Sequence, residues 1–255
     1  MSVAEWARIG AQIGLDAIDL SILFVPDRSQ QSAALLRRQI ESEGISVTML
    51  TSYPDFTHPD PFQRANELSL ARESVAIASE LGAKLLRVTA GQSHPETTVQ
   101  AGIAWAVEGL TNLVESTRQS GITLVYENHA KPGVWTYTDF SQPPDIFLRI
   151  LAGTNDCGLG VNFDTGNASA FSTDPVSLLE QVFPRLVSIH AADTAVKGEL
   201  RHVLLGKGIT PFQPLFNCLK RNGWDGWICM EEASQLGKAG IESAARFVRN
   251  TWETA

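Results

Sequence analysis

One pattern constrains this chain more than any other. A helix, a glycine and a short apolar strand repeat seven times along 255 residues. The strands read DAIDLSIL (Asp16–Leu23), ISVTMLTSY, AKLLRVTAG, ITLVYENH, CGLGVNFDTGN, RLVSIHAAD and WICMEE. Helical patterns run over Val3–Gly14, Gln30–Glu43, Pro61–Leu81, Glu96–Ser120, Pro144–Ala152, Pro175–Phe183 and Pro211–Asn222, with a closing helix at Ala239–Trp252. Strands that are apolar on both faces and alternate with helices belong to a parallel sheet covered by helices. Seven such units without a composition break favour one TIM-type (β/α)8 barrel domain over residues 1–255. An open doubly wound sheet is the alternative, but no GxGxxG follows an early strand. An eight-fold barrel needs one more strand. The rhythm places it before Val3, so the expectation is a barrel whose first strand is missing at the N-terminus.

The strand ends carry the chemistry. Side chains alternate along a strand, so one face can be followed to its last residue. Val125 and Glu127 share a face, as do Asn162 and Asp164, Ser188 and His190, and Cys229 and Glu231. The opposite face is apolar each time, and the same parity selects Glu231 over Glu232. A charge at the end of an apolar strand must be paired, metal-bound or set in a cleft. Glu127, Asp164, His190 and Glu231 are separated by 37, 26 and 41 residues, each compatible with one strand–helix unit. On neighbouring strands the four would converge at one mouth. Three carboxylates and one imidazole suit one divalent cation such as Mn²⁺, Mg²⁺, Co²⁺ or Zn²⁺. Without a cation, carboxylates so close repel and at least one takes a proton.

Charge and cysteine content remove other function classes. The net charge of −8, with no basic cluster, disfavours a nucleic-acid partner. No apolar run approaches the roughly 20 residues that span a bilayer. The opening MSVAEWARIG lacks the basic-then-apolar layout of a signal peptide. Three cysteines without a CxxC fit a reducing cytoplasm rather than a disulfide framework or a thiolate zinc site.

ENH at Glu127–His129, NFDTGN at Asn162–Asn167, HAAD at His190–Asp193, LGKG at Leu205–Gly208 and GWDGWICMEE at Gly223–Glu232 give the chain its family likeness. It resembles the sugar phosphate isomerase/epimerase family with xylose isomerase-like barrels. The resemblance covers nearly the whole chain from the first helix. It implies that Glu127, Asp164, His190 and Glu231 are metal ligands, and that an opening strand precedes Val3. It also implies catalytic roles for Glu127 and Glu231 in moving the proton. The chain departs from the family twice. A lysine often stands two residues after the metal-binding histidine, where this chain has Ala192, and epimerases often carry a histidine where this chain has Asn167.

The expected reaction is isomerisation or epimerisation of a sugar, sugar derivative or small keto acid through an enediolate, with dehydration of a polyol ketone as a close variant. A cation stabilises the enediolate, and two carboxylates take and return the proton. His129, Asn167, Asp193 and Arg201 are candidate substrate contacts. Asp193 could equally orient His190 or cap the next loop, and Arg201 could be a solvated loop residue. His58, His94, Trp135 and Tyr137 follow strands and could line the site, and Arg87 could support the ligand carboxylates. A homo-oligomer is possible. The competing functions are a non-catalytic sugar-binding barrel and an endonuclease-type phosphodiesterase. The second would require more histidine ligands and a basic groove.

Overall fold

The computed structural model describes residues 2–255. The chain divides into two compact units. One is Met1–Tyr126 with Lys131–Phe140 and Arg149–Gly160, and the other is Glu127–Ala130, Ser141–Leu148 and Val161–Ala255.

The first unit alternates helix and strand: α1 (Val3–Gln12), β1 (Ala17–Ser21), α2 (Gln30–Ser42), β2 (Ser46–Thr51), α3 (Pro61–Glu80), β3 (Leu85–Val88), α4 (Val99–Thr117) and β4 (Thr123–Glu127), whose last residue belongs to the second unit. The strands are parallel and follow chain order, β1-β2-β3-β4. All of β3, and β2 from Val47 onward, is buried, as expected for strands covered on both faces. Local chemistry sets the helix ends. Ser2 and Glu5 form a capping box on α1, Asp60 with Pro61 opens α3, and Thr98 caps α4. Gly82 (φ 77°) and Gly121 (φ 75°) take the left-handed conformation that turns the chain from helix to strand.

Loops after β2, β3 and β4 are tied together around Asp55. Its carboxylate accepts from Thr57 Oγ1 (3.2 Å), Gln92 N (2.9 Å) and Gln92 Nε2 (2.9 Å), and pairs with His94 Nε2 at 2.8 Å. Gln92 Oε1 accepts from the backbone of Thr136 and Tyr137. His94 stacks edge-on against His58 and Tyr137. Three residues named as possible site-liners thus build one hydrogen-bonded loop cluster. Arg87 donates to Ser52 O and lies over the Tyr53 ring.

The second unit contains half of α5 (Pro144–Gly153) and most of β5 (Gly160–Asp164), then α6 (Thr165–Phe171), α7 (Pro175–Val182), β6 (Leu186–Ala191), a β7–β8 hairpin (Thr194–Val196, Glu199–His202), α8 (Phe212–Arg221), β9 (Trp227–Met230) and α9 (Gly237–Thr254). β5, β6 and β9 are parallel, with Asp164 opposite His190 and His190 opposite Cys229. Phe212, Leu215, Phe216 and Leu219 are the buried stripe of α8, at helical spacing. Edge-to-face contacts join Phe212 to Phe247 and Phe216 to Trp252 on α9.

Two elements depart from the sequence reading. Thr165–Phe171 is a helix rather than a continuation of the fifth strand, because the Asp164 side chain caps it. Residues 194–202, which lie in none of the strands or helices read from the sequence, form the β7–β8 hairpin. Seven parallel strands are present among the described residues, one short of eight. No helix among them is long and apolar enough to cross a membrane.

Asp193 organises the segment after β6. Its buried carboxylate accepts four backbone N–H groups: Thr194 (2.9 Å) and Thr210 (3.1 Å) on Oδ1, and Gly206 (2.9 Å) and Gly208 (2.8 Å) on Oδ2. Gly208 is required because a Cβ there would collide with Thr194 O and the Asp193 carboxylate. Asp193 is therefore committed to capping this loop, not to a substrate. Asp193→Asn should place an NH₂ against two N–H donors and lower unfolding free energy by about 3 kcal/mol, read from urea denaturation. Gly102 packs on the Phe140 ring with no space for a Cβ. Gly102→Ala should cost about 1–3 kcal/mol by the same measurement.

Candidate metal centre

Four side chains of the second unit meet at one point. Glu127 ends β4, Asp164 ends β5, His190 lies one residue from the end of β6, and Glu231 follows β9. Their ligand atoms all lie within 4.8 Å of one another. Register accounts for the convergence. Asp164 and His190 are direct partners across β5 and β6, and Glu231 N donates to Ala191 O (3.0 Å), extending the ladder past β9. Asn128 sets the remaining spacing. Its Nδ2 donates to Asp164 O (2.9 Å), and its Oδ1 accepts from Asp164 N (2.9 Å). This two-point amide clamp fixes the chain beside Glu127 to the chain at Asp164.

Each member is held in place. Asp164 Oδ1 accepts from Asn167 N (2.5 Å) as the N-cap of α6. Its Oδ2 is buried and meets no donor. Glu127 Oε2 accepts from Asn162 Nδ2 (3.0 Å) and lies 3.5 Å from His190 Nδ1. The same nitrogen lies 3.6 Å from Glu231 Oε2. Glu127, Asp164 and His190 are buried, while 47% of the Glu231 side chain is exposed, leaving the centre open on the Glu231 side.

Electrostatics make this cluster costly without a cation. Burial pushes the Asp164 carboxyl well above the ordinary carboxylate range, and the charges of Glu231 and Glu127 push it the same way. Glu231 is held well below that range. Burial opposes its ionisation, but the hydrogen bond and charge of His190, and then the charge of His202, outweigh it. A proton on Asp164 is one way to relieve three neighbouring carboxylates, and a divalent cation is the other. The residues fit the cation on two observations. Asp164 Oδ2 is a buried acceptor without a donor. The 3.5 and 3.6 Å separations match ligands bound about 2.1 Å from one ion, which sit roughly 3–3.5 Å apart. Carboxylates with one imidazole suit Mn²⁺, Mg²⁺, Co²⁺ or Zn²⁺.

The remaining candidates separate. His129 and Asn167 line a small cavity with Phe147, Phe171 and Leu178, whose lining contains none of the four cluster residues. Asn167 reaches the cluster only through its backbone N–H. The Arg201 side chain is exposed on β8, whereas the charge of His202 is felt by Glu231. Ala192 occupies the position where the family often has lysine, and it is fully buried. A Cβ on Gly166 would come within 2.9 Å of Ala192 Cβ, so glycine at 166 lets the two segments approach closely. Asn128, Asn162 and Ser188 were not recognised as site residues from sequence. The available signal was a polar residue two before each ligand inside a buried strand, at Asn162 and Ser188.

Comparison with known proteins places this geometry. A family model described as xylose isomerase-like TIM barrel matches residues 7–251. An inosose dehydratase from Lacticaseibacillus casei is 26% identical over 147 residues, covering 51% of this chain and 47% of that protein. The chain thus matches about half the length of that relative. The L-ribulose-5-phosphate 3-epimerase UlaE of Escherichia coli is 22% identical over 253 residues, covering 95% of this chain and 86% of that protein. Among solved structures, the IOLI protein with a binding zinc atom superposes with a TM-score of 0.84 at 16% identity, covering 100% of this chain and 94% of that one. A D-tagatose 3-epimerase-like protein superposes with a TM-score of 0.81 at 18% identity, covering 97% and 96%. The fold read from the helix–strand rhythm and the family match agree: the chain belongs to the xylose isomerase-like TIM barrel family.

Proposed function

We propose that this chain is a divalent-cation-dependent isomerase or epimerase of a small sugar, sugar derivative or keto acid. The observation that carries the reading is the convergence of Glu127, Asp164, His190 and Glu231 within 4.8 Å. Epimerase and dehydratase names among the relatives support the substrate class.

The four side chains would hold the cation. When bound, it would polarise a carbonyl and stabilise the negative charge left by removal of the neighbouring C–H proton. The protein's own groups do the rest. Asp164 and His190, held by the α6 cap and the β5–β6 register, are the rigid side of the centre. Glu127 and Glu231 are the carboxylates that take and return the proton on carbon. The exposed Glu231 side is where substrate enters. Burial of Glu127 keeps its carboxylate away from water.

Dehydration of a polyol ketone is the second reading, favoured by the inosose dehydratase relatives. It begins with the same proton abstraction and differs only in loss of a β-hydroxyl.

Proton NMR in D₂O tests both readings. Mn²⁺- or Mg²⁺-loaded protein is incubated with ketopentoses, ketohexoses, their phosphates and inososes. The expected result is deuterium incorporation next to the carbonyl, followed by an epimer or a dehydrated ketone. No exchange on any member of the panel would contradict the proposal. Glu127→Gln and Glu231→Gln should each lower the exchange rate by about 10²–10⁴-fold, the range for loss of a general acid or base. His190→Ala should instead abolish activity by weakening cation binding, with partial recovery at high Mn²⁺.

A further inference from the structure

The metal reading leaves one buried chain of polar groups without a role. Ser188 Oγ donates to Asn162 Oδ1 (2.7 Å), and Asn162 Nδ2 donates to Glu127 Oε2 (3.0 Å). All three residues are at most 1% exposed. Each polar residue stands two positions before a cluster ligand on its own strand: Ser188 before His190, and Asn162 before Asp164. Ser188 and Asn162 are register partners across β5 and β6, two pairs earlier than Asp164 and His190 and so on the same face. The sheet therefore stacks a layer of neutral donors directly beneath the ligand layer.

We propose that Ser188 and Asn162 form a positioning relay that assigns Oε2 of Glu127 as its cation-binding oxygen. The proposal rests on the metal-centre reading above. An asparagine amide has a donor end and an acceptor end, and either could face Glu127. The Glu127 carboxylate can only accept, so the NH₂ end must face it, and the Ser188 hydroxyl then holds the amide there by donating to its acceptor end. The carboxylate is thereby pinned through Oε2, the oxygen 3.5 Å from His190 Nδ1 and on the ligand side of the cluster. Pinning one oxygen fixes the carboxylate plane, and with it the direction in which Oε1 points. An outer partner of this kind orients its ligand and typically changes metal affinity 10–100-fold when removed. Ser188 and Asn162 touch neither substrate nor cation. They act only through Glu127.

The test measures Mn²⁺ affinity by titration of metal-free protein, with thermal unfolding recorded in parallel. The wild type is compared with Asn162→Ala, Ser188→Ala, Ser188→Thr and the Asn162→Ala/Ser188→Ala double variant. Asn162→Ala should weaken Mn²⁺ binding by about 10–100-fold. Ser188→Ala should weaken it by a smaller factor, and Ser188→Thr should restore it because the hydroxyl returns. The double variant should bind as Asn162→Ala alone, since Ser188 acts through Asn162. A merely structural role would lower thermal stability without this non-additive pattern in affinity. Ser188→Ala removes a single oxygen, so it keeps the test alive if Asn162→Ala does not fold. Wild-type affinity in both single variants, or fully additive losses in the double, would overturn the relay and leave the metal centre standing. A wild type that binds no Mn²⁺ would overturn the metal reading and this inference with it.

Discussion

The second unit depends on one buried carboxylate. Asp164 is fully buried at the end of β5, and its two oxygens face different obligations. Oδ1 caps α6 and so decides that the chain turns into a helix there rather than continuing as strand. Oδ2 receives no hydrogen bond and lies among two other carboxylates and an imidazole. A fold does not hold an unpaired buried carboxylate at low cost. Either a proton or a cation must answer it. Around it, Asn128 clamps the Asp164 backbone, and Asn162 donates to Glu127. The backbone hydrogen bonds that build the sheet thus also set the spacing of the ligands.

Much of this was legible in the sequence, for a simple reason. A strand has a side-chain period of two, so an apolar strand with a charge in phase at its end announces which face the charge occupies. That parity identified Glu127, Asp164, His190 and Glu231, and it separated Glu231 from Glu232. The helix–glycine–strand rhythm gave seven strands in order. What could not be read has equally physical causes. The α6 helix is nucleated by a side chain that also reads as a strand-end ligand, so the pattern favoured strand. The β7–β8 hairpin is short and half exposed, so its periodicity is weak. Asp193 resembled a site residue because it is acidic and next to the ligand strand, yet four backbone donors fill it. Pairings such as Ser188 with Asn162 depend on inter-strand register, which one sequence does not display.

The family likeness and the local departures fit together. Ala192 stands where the family often has lysine, and it is fully buried against Gly166. Asn167 replaces an epimerase histidine and presents its backbone, not its side chain, to the cluster. The four clustered residues are therefore present while the groups around them differ.

The central claim is that four side chains on β4, β5, β6 and the end of β9 hold one cation. The most direct measurement is anomalous diffraction at the manganese edge from crystals grown with Mn²⁺. The account expects a single strong peak roughly 2.0–2.4 Å from Asp164 Oδ2, His190 Nδ1, Glu127 Oε2 and a Glu231 oxygen. A peak elsewhere, or none at saturating Mn²⁺ with Asp164 and Glu231 sharing a proton instead, would contradict it.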